Sequence, residues 1–369
     1  MDVSRLKLAV VASLGLFVAA GCTAPEPTPA PAPVEQSEAE STTTEATPSG
    51  TAMEITLAYL AEGLPDLSGS SIAYLTECGP ENAYCQVRLR AAEEAAAELG
   101  VSLTVFNAAF DPQTQVQQTQ DAILRDFDGY VLSPVADSVG CANFELIRST
   151  GKPVVNINSP MCGNADFTEG TVGFVAAQTE TYYLEHVRNA FSSCEGDCKA
   201  VMVGGFVGSD LYGRWSRAID RAAIEFPNVQ IVANQPGDYD AATALRVVQD
   251  ALTSNPDLSV VVTAWDEMTN GVQQAVEAAG LEPGSDVRIF SIGGTKDGVD
   301  RVAAGKWTGT TILLPYEESY YGFVQLARAM ATGEATVGFT FLGEAPAVLD
   351  GPGTIFVSSD NAARYSPLF

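Results

Sequence analysis

The sequence predicts an α/β protein built from two doubly wound parallel-sheet lobes. Three observations carry that prediction. The run at 258–263 is short, β-branched and does not alternate, the pattern of a strand buried on both faces of a parallel sheet. Helical spacing follows almost at once, with Val272, Ala275, Val276 and Ala279, and stops at Gly280, a C-cap residue. The same strand-then-helix alternation recurs from Ser70 onward in a chain of 369 residues. That is long enough for two lobes with their own cores, each a parallel sheet whose strands are joined by right-handed crossovers.

The elements follow in order. Residues 70–76, "SSIAYLT", read as a strand, and 85–100 as an Ala/Glu/Leu-rich helix closed by Gly100. "VSLTVF" is a strand, 112–126 a polar-faced helix, and "GYVLSP" and "KPVVNIN" are strands. A helix over 182–191 follows "GTVGFV"; "KAVMVGG" then restarts the pattern, with a helix over 212–225 and a strand at "VQIVA". "DYDAATALRVVQDALTSNP" is a helix leading into the 258–263 strand. "DVRIFSI" and "GTTILL" are strands, and 317–332 is a long helix. Ahead of the first repeat, Ile55, Leu57 and Tyr59 alternate, so the 53–70 segment reads as an added edge strand.

Composition narrows the function. Forty-six acids against 19 Lys plus Arg give a net charge of −27, which argues against nucleic acid or an anionic membrane surface as partner. The N-terminus carries Arg5 and Lys7 and then an apolar run over 8–20, a secretory signal too short to span a bilayer as a stable helix. It ends in "VAAGC", which resembles a bacterial lipobox with Cys22 as the lipidated residue and Ala19 where the pattern prefers Leu. An ordinary cleaved signal is the alternative. The Pro-, Ala-, Glu- and Thr-rich segment after Cys22 has almost nothing to bury and reads as an extended tether, which favours lipidation. Residues 1–21 are therefore assigned to the signal and 22–53 to the tether.

Six cysteines remain, an even number in an exported chain, and imply disulfides. Cys78–Cys85 and Cys194–Cys198 would close short loops, which leaves Cys141–Cys162. A zinc site is the rival reading, but the chain has one histidine and no CxxC pair, so no metal is expected. The same histidine, His186, sits mid-helix away from any nucleophile motif and reads as a surface or interface residue. No GxSxG elbow, no GxGxxG helix start and no GxxxxGK[ST] loop is present, so neither an enzyme nor a cofactor is expected. Acid pairs such as Glu317 and Glu318 suit glycosidase chemistry, yet 46 acids guarantee chance pairs.

The stretches "FDGYVLSPVADS" (127–138), "QPGDYDAATALRVVQDALTSNPDL" (235–258) and "AWDEMTNGVQQAVEAAGL" (264–281) resemble the periplasmic sugar-binding proteins of the ribose-binding type, solute receptors of ABC importers. "GKPVVNINSP" and "FSIGGTKDGVDRV" agree in spacing. The resemblance implies the periplasmic binding protein-like fold, with the two lobes joined by a hinge. It divides the chain into an N-terminal lobe of 54–175 plus 315–345 and a C-terminal lobe of 176–314 plus 346–369. It implies a small-molecule ligand, a permease partner, closure of the lobes about the ligand, and no catalysis. A sensory receptor of the same fold and an exported α/β hydrolase are the alternatives.

Carried over residue by residue, the resemblance places Asn82 and a stacking Tyr84 after the first strand, Tyr239 in the "DFD"-like turn and Arg214 on sugar hydroxyls. Trp265 falls where the family commonly has asparagine, beside the acid at Asp266. Ser133, Asn158 and Gly293 complete the set of ligand-facing positions. The departures are informative. The family's Asp-Arg pair is Asn158-Ser159 here, its aspartate in the "GFDG"-like turn is Gly293, its second aromatic is Cys85, and its hinge glutamine aligns with Leu314. Such a site is more aromatic and less charged than a pentose site, which points to a sugar with an apolar part, a nucleoside-like molecule or another small cyclic compound. Replacing Trp265 with Ala should then abolish binding and leave the ligand-free protein's stability nearly unchanged.

Overall fold

The computed structural model describes residues 50–164 and 166–369. The signal over 1–21, Cys22 and the tether as far as residue 49 lie outside the described residues. The first described element is a helix, α1 (Ala52–Glu62), and not an edge strand. The reason is local: Thr51 and Glu54 form a reciprocal capping box, which fixes a helix start regardless of the alternation of Ile55, Leu57 and Tyr59. The helix also begins inside the segment read as tether.

Then follow β1 (Ser71–Thr76), α2 (Ala83–Leu99), β2 (Ser102–Asn107), α3 (Pro112–Leu124), β3 (Gly129–Leu132), α4 (Asp137–Arg148), β4 (Val154–Ile157) and β5 (Phe174–Ala176). The second series is α5 (Glu180–Ser192), β6 (Cys198–Gly204), α6 (Asp210–Glu225), β7 (Val229–Pro236), α7 (Ala241–Ser254), β8 (Val260–Thr263), α8 (Asp266–Ala278), β9 (Arg288–Gly293), α9 (Lys296–Ala303) and β10 (Gly309–Ile312). The chain ends with α10 (Pro315–Thr332), β11 (Phe339–Phe341), α11 (Pro346–Leu349) and β12 (Phe356–Val357).

Two six-stranded sheets result, ordered β11-β5-β4-β3-β1-β2 and β12-β10-β9-β8-β6-β7. Pairing is parallel throughout except for β12, which runs antiparallel to β10. Each sheet therefore reverses its winding beside its first strand, β1 or β6, and the crevice outside the strand ends at such a reversal is where ligands bind in open α/β sheets. The chain passes from the first sheet to the second after β5, returns through α10, which packs against α2 and β4, and passes again between β11 and β12.

The central strands β3, β4, β8 and β10 are buried along their whole length, as strands covered on both faces of a parallel sheet are. His186, expected at a surface or interface, is fully buried beneath the second sheet. Its Nδ1 lies 2.8 Å from Thr311 Oγ1 and its ring tilts against Trp215. Burial pushes its pKa down to about 3, so it is neutral in the folded protein. The structure pairs Cys78 with Cys85, Cys141 with Cys162 and Cys194 with Cys198, with Cα atoms 6.0, 4.7 and 6.0 Å apart.

Candidate ligand-binding site

Most strand-to-helix turns in this chain place a polar side chain at the helix N-cap. Asn82, Asp111, Thr179, Ser209, Asp240 and Thr295 each accept a hydrogen bond from the first helical turn. Four positions break the rule: Ala136 before α4, Trp265 before α8, Leu314 before α10 and Ala345 before the short α11 make no side-chain cap. Such local inconsistency is expected where a position serves something other than stability. At α4 the cap comes from the other lobe: the Asp137 N–H donates to Asp210 Oδ2 at 2.6 Å.

Trp265 walls a cavity of about 90 Å³ at the facing carboxyl ends of the two sheets. The structure brings Tyr84, Tyr239 and Trp265 together there, with Asn82 and Asn158 from the sequence-derived set. Tyr84 and Trp265 meet edge to face across the cleft with centroids 6.3 Å apart. Phe110 also lines the cavity, and its ring approaches Phe206 of the second lobe at 6.1 Å, which in turn meets Tyr239 at 5.2 Å. Phe110, Asn158 and Tyr239 all have positive φ, at +58°, +67° and +56°. Non-glycine residues rarely hold this conformation, and it concentrates at ligand clamps.

The cavity's first-lobe end rests on a buried ionic cluster that local sequence patterns did not indicate. Arg88 is fully buried and grips Glu77 through two hydrogen bonds of 2.8 Å; it also reaches Glu318 Oε1 at 3.3 Å and donates to Tyr74 Oη at 3.0 and 2.9 Å. The Tyr84 O–H donates to Glu318 Oε2 at 3.0 Å, and Asn158 Nδ2 donates to Glu318 Oε1 at 3.3 Å. Two cavity-lining side chains are thus aimed by one buried carboxyl. Burial pushes Glu318 up to about 7, against the pull of the Arg88 charge. Glu77 itself reaches the lining.

Four of the sequence-derived residues lie elsewhere. Asp266 is buried but turns away from the cavity: its Oδ2 accepts from the Thr295 N–H and hydroxyl, both at 2.9 Å, and its Oδ1 from the Thr310 hydroxyl at 2.9 Å. Burial raises it to about 6, opposed by these hydrogen bonds. Gly293 makes room for that carboxylate, since a Cβ there would sit 2.6 Å from Asp266 Oδ2. Trp265 and Asp266 are adjacent in the turn, and only the first faces the cleft. Arg214 is buried on α6 and borders a separate hollow of about 510 Å³; its Nη1 donates to the Gln178 carbonyl at 2.9 Å. It thus holds the main chain of Gln178, whose residue lines the cavity. Ser133 is fully buried under the β3 end, its carbonyl accepting from Gln115 Nε2 at 2.8 Å, and does not line the cavity. The hinge-side lining residue is Leu313 and not Leu314, one position off the sequence alignment.

Phe110, Gln178 and Leu313 were missed by sequence reasoning. Each follows the carboxyl end of a strand by one to three residues, so strand-end position alone was the signal that would have found them. A potential metal-ligating trio of Glu77, Cys78 and Cys85 lies at the same edge, but its two sulfurs are bonded to each other.

The sequence matches the family model of the periplasmic binding protein domain over residues 72–335. It is 26% identical over 245 residues to the ribose import binding protein of Escherichia coli strain K12, covering 66% of this chain and 79% of that one. It is 25% identical over 236 residues to a xylitol-binding protein of Mycolicibacterium smegmatis, 63% of each chain. Among solved structures, a galactofuranose binding protein superposes with a TM-score of 0.69 at 17% identity, covering 80% of this chain and 96% of that one. A Mycobacterium smegmatis protein in complex with β-D-fucofuranose gives 0.62 at 25% identity, over 72% and 87%. With matching topology in both sheets and a cavity at the facing strand ends, the chain belongs to the periplasmic binding protein family.

Proposed function

We propose that this protein is an exported, lipid-anchored solute receptor that captures a small cyclic, sugar-like ligand between its lobes and delivers it to an ABC importer. One observation carries the reading: rings from three separate strand-end turns, Tyr84 of the first lobe and Tyr239 and Trp265 of the second, converge on one cavity. Aromatic faces take the apolar C–H face of a ring, while the polar edges supplied by Asn82, Asn158, Gln178 and Glu77 take its hydroxyls. The lining holds no lysine, arginine or histidine among the described residues, which suits an uncharged polyol better than a sugar phosphate. The relative named for ribose supports the cyclic ligand class, the one named for xylitol supports only an uncharged polyol, and their being binding proteins supports a role without catalysis.

The test is the mass of any small molecule that co-purifies, followed by titration calorimetry with D-ribose, D-allose, xylitol and myo-inositol. Saturable binding of D-ribose, D-allose or myo-inositol is the expected result, and binding of open-chain xylitol alone would replace the cyclic ligand with a linear polyol. Absence of binding to all four, together with turnover of a glycoside, would replace the receptor with an enzyme.

The lipid anchor is part of the same proposal and rests on "VAAGC" and the segment after it. Cys22→Ser is expected to release the protein from the membrane fraction or leave it unprocessed. Intact mass of the wild type should include an acyl addition at Cys22, and a wild type without it removes the anchor from the proposal.

A further inference from the structure

Phe369 stands behind the cavity wall, yet its ring touches both lobes. It stacks on Trp265 with centroids 6.0 Å apart and planes inclined by 25°, and meets the edge of Tyr84 at 6.2 Å and 75°. Its backbone belongs to the second lobe: the Lys296 N–H, at the start of α9, donates to the Phe369 main-chain oxygen at 2.7 Å, and the nearby Tyr365 ring is buried. Facing it across a groove of about 560 Å³ are Ala83 and Val87 of α2, in the first lobe. Tyr84, Trp265 and Phe369 therefore form a three-ring contact that bridges the cleft.

Two consequences follow from where these rings are anchored. Trp265 occupies a helix N-cap position without making a cap, so its indole is held by packing and by one 3.3 Å hydrogen bond to Glu267 at its own helix end. Phe369 covers one face of that indole, and without it the ring gains rotamer freedom that ligand capture must then remove. The Phe369–Trp265 stack lies within the second lobe and survives opening. The Phe369–Tyr84 contact crosses the cleft and exists only when the lobes approach.

We propose that Phe369 is a positioning residue for ligand capture: it fixes the Trp265 indole as the cavity wall and clasps the second lobe to the first in the closed form. The lobe-clasping part stands on the contacts alone; the effect on affinity rests on the sugar-receptor reading.

The experiment compares full-length wild type, Phe369→Ala and Phe369→Tyr. Small-angle scattering without added ligand should show a larger radius of gyration for Phe369→Ala, and wild-type values for Phe369→Tyr, which keeps the ring. Identical scattering for wild type and Phe369→Ala overturns the clasp. Stopped-flow tryptophan fluorescence with D-allose, D-ribose, xylitol and myo-inositol as probes should show dissociation about tenfold faster for Phe369→Ala, association within about twofold of wild type, and rescue by Phe369→Tyr. An unchanged dissociation rate overturns the positioning role. If wild type binds none of the four probes, the sugar-receptor reading fails by itself, and the scattering comparison still decides the clasp.

Discussion

Arg88→Met is expected to destabilise the protein by about 3–5 kcal/mol, because it leaves the Glu77 and Glu318 carboxyls buried without their cation. Methionine retains most of the side-chain volume, so the loss reports charge and hydrogen bonding and not a cavity. Urea denaturation followed by circular dichroism measures it. The triple variant Arg88→Met, Glu77→Gln, Glu318→Gln should recover a large part of the loss, since it removes the stranded charges along with their partner. A loss below about 1 kcal/mol for the single variant would show the cluster to be hydrated and unimportant.

The same cluster shapes the pH profile. Glu318 is raised to about 7 in the folded protein from an ordinary value of 4.5, so the stability it contributes is present below pH 4.5 and is lost as pH rises through 7. His186 acts in the opposite sense. Its folded value of about 3 against 6.5 gives stability that is present above pH 6.5 and is lost as pH falls through 3. Within this series, Glu318→Gln should flatten the decline in stability between pH 5 and 7.5 and leave the acid limb set by His186 in place.

Trp265→Ala is expected to weaken binding of the cognate ligand at least about 100-fold, the effect of removing one stacking face and its buried area. Its stability will fall too, contrary to the sequence-based expectation of no change. The indole is only 6% exposed, stacks on Phe369 and meets Tyr84 edge to face, so truncation opens a void and costs about 3 kcal/mol in the ligand-free protein. Trp265→Phe separates the two roles, because it keeps an aromatic face and most of the packing. It should retain most of the stability and bind about tenfold more weakly than wild type. Wild-type affinity in Trp265→Ala, measured by calorimetry, would remove Trp265 from the binding surface.

The legible part of this protein was what local patterns specify. Buried β-branched runs such as 258–263 and helices ending in glycine gave both sheets, because each strand's burial on two faces forces a continuous apolar run. Trp265 was legible for a physical reason as well: it ends a buried strand run at the carboxyl edge of a sheet, where ligands bind in open α/β folds. The failures have equally local causes. Thr51 and Glu54 carry a readable capping box, but the alternation of Ile55, Leu57 and Tyr59 was given more weight than the cap. Asp266 was taken with its neighbour, although consecutive residues in a tight turn point in different directions and its partners, Thr295 and Thr310, lie on later elements. His186 and the Arg88–Glu77–Glu318 cluster depend on contacts between residues distant in the chain, 230 positions apart for Arg88 and Glu318, which no periodicity encodes.

The Cys78–Cys85 bridge closes the β1–α2 turn that carries Asn82 and Tyr84. The cavity's first-lobe wall is therefore cross-linked to its own strand end, and its shape depends on the redox state of the compartment in which the chain folds. A chain matured where thiols stay reduced keeps its sheets, whose strands need no bridge, but presents a slack turn in place of a preset one. Part of the ordering cost that oxidation removes in advance would then fall on every encounter with ligand. Under the proposed function, export supplies chemistry as well as location, because oxidation outside the cytoplasm finishes the candidate binding surface.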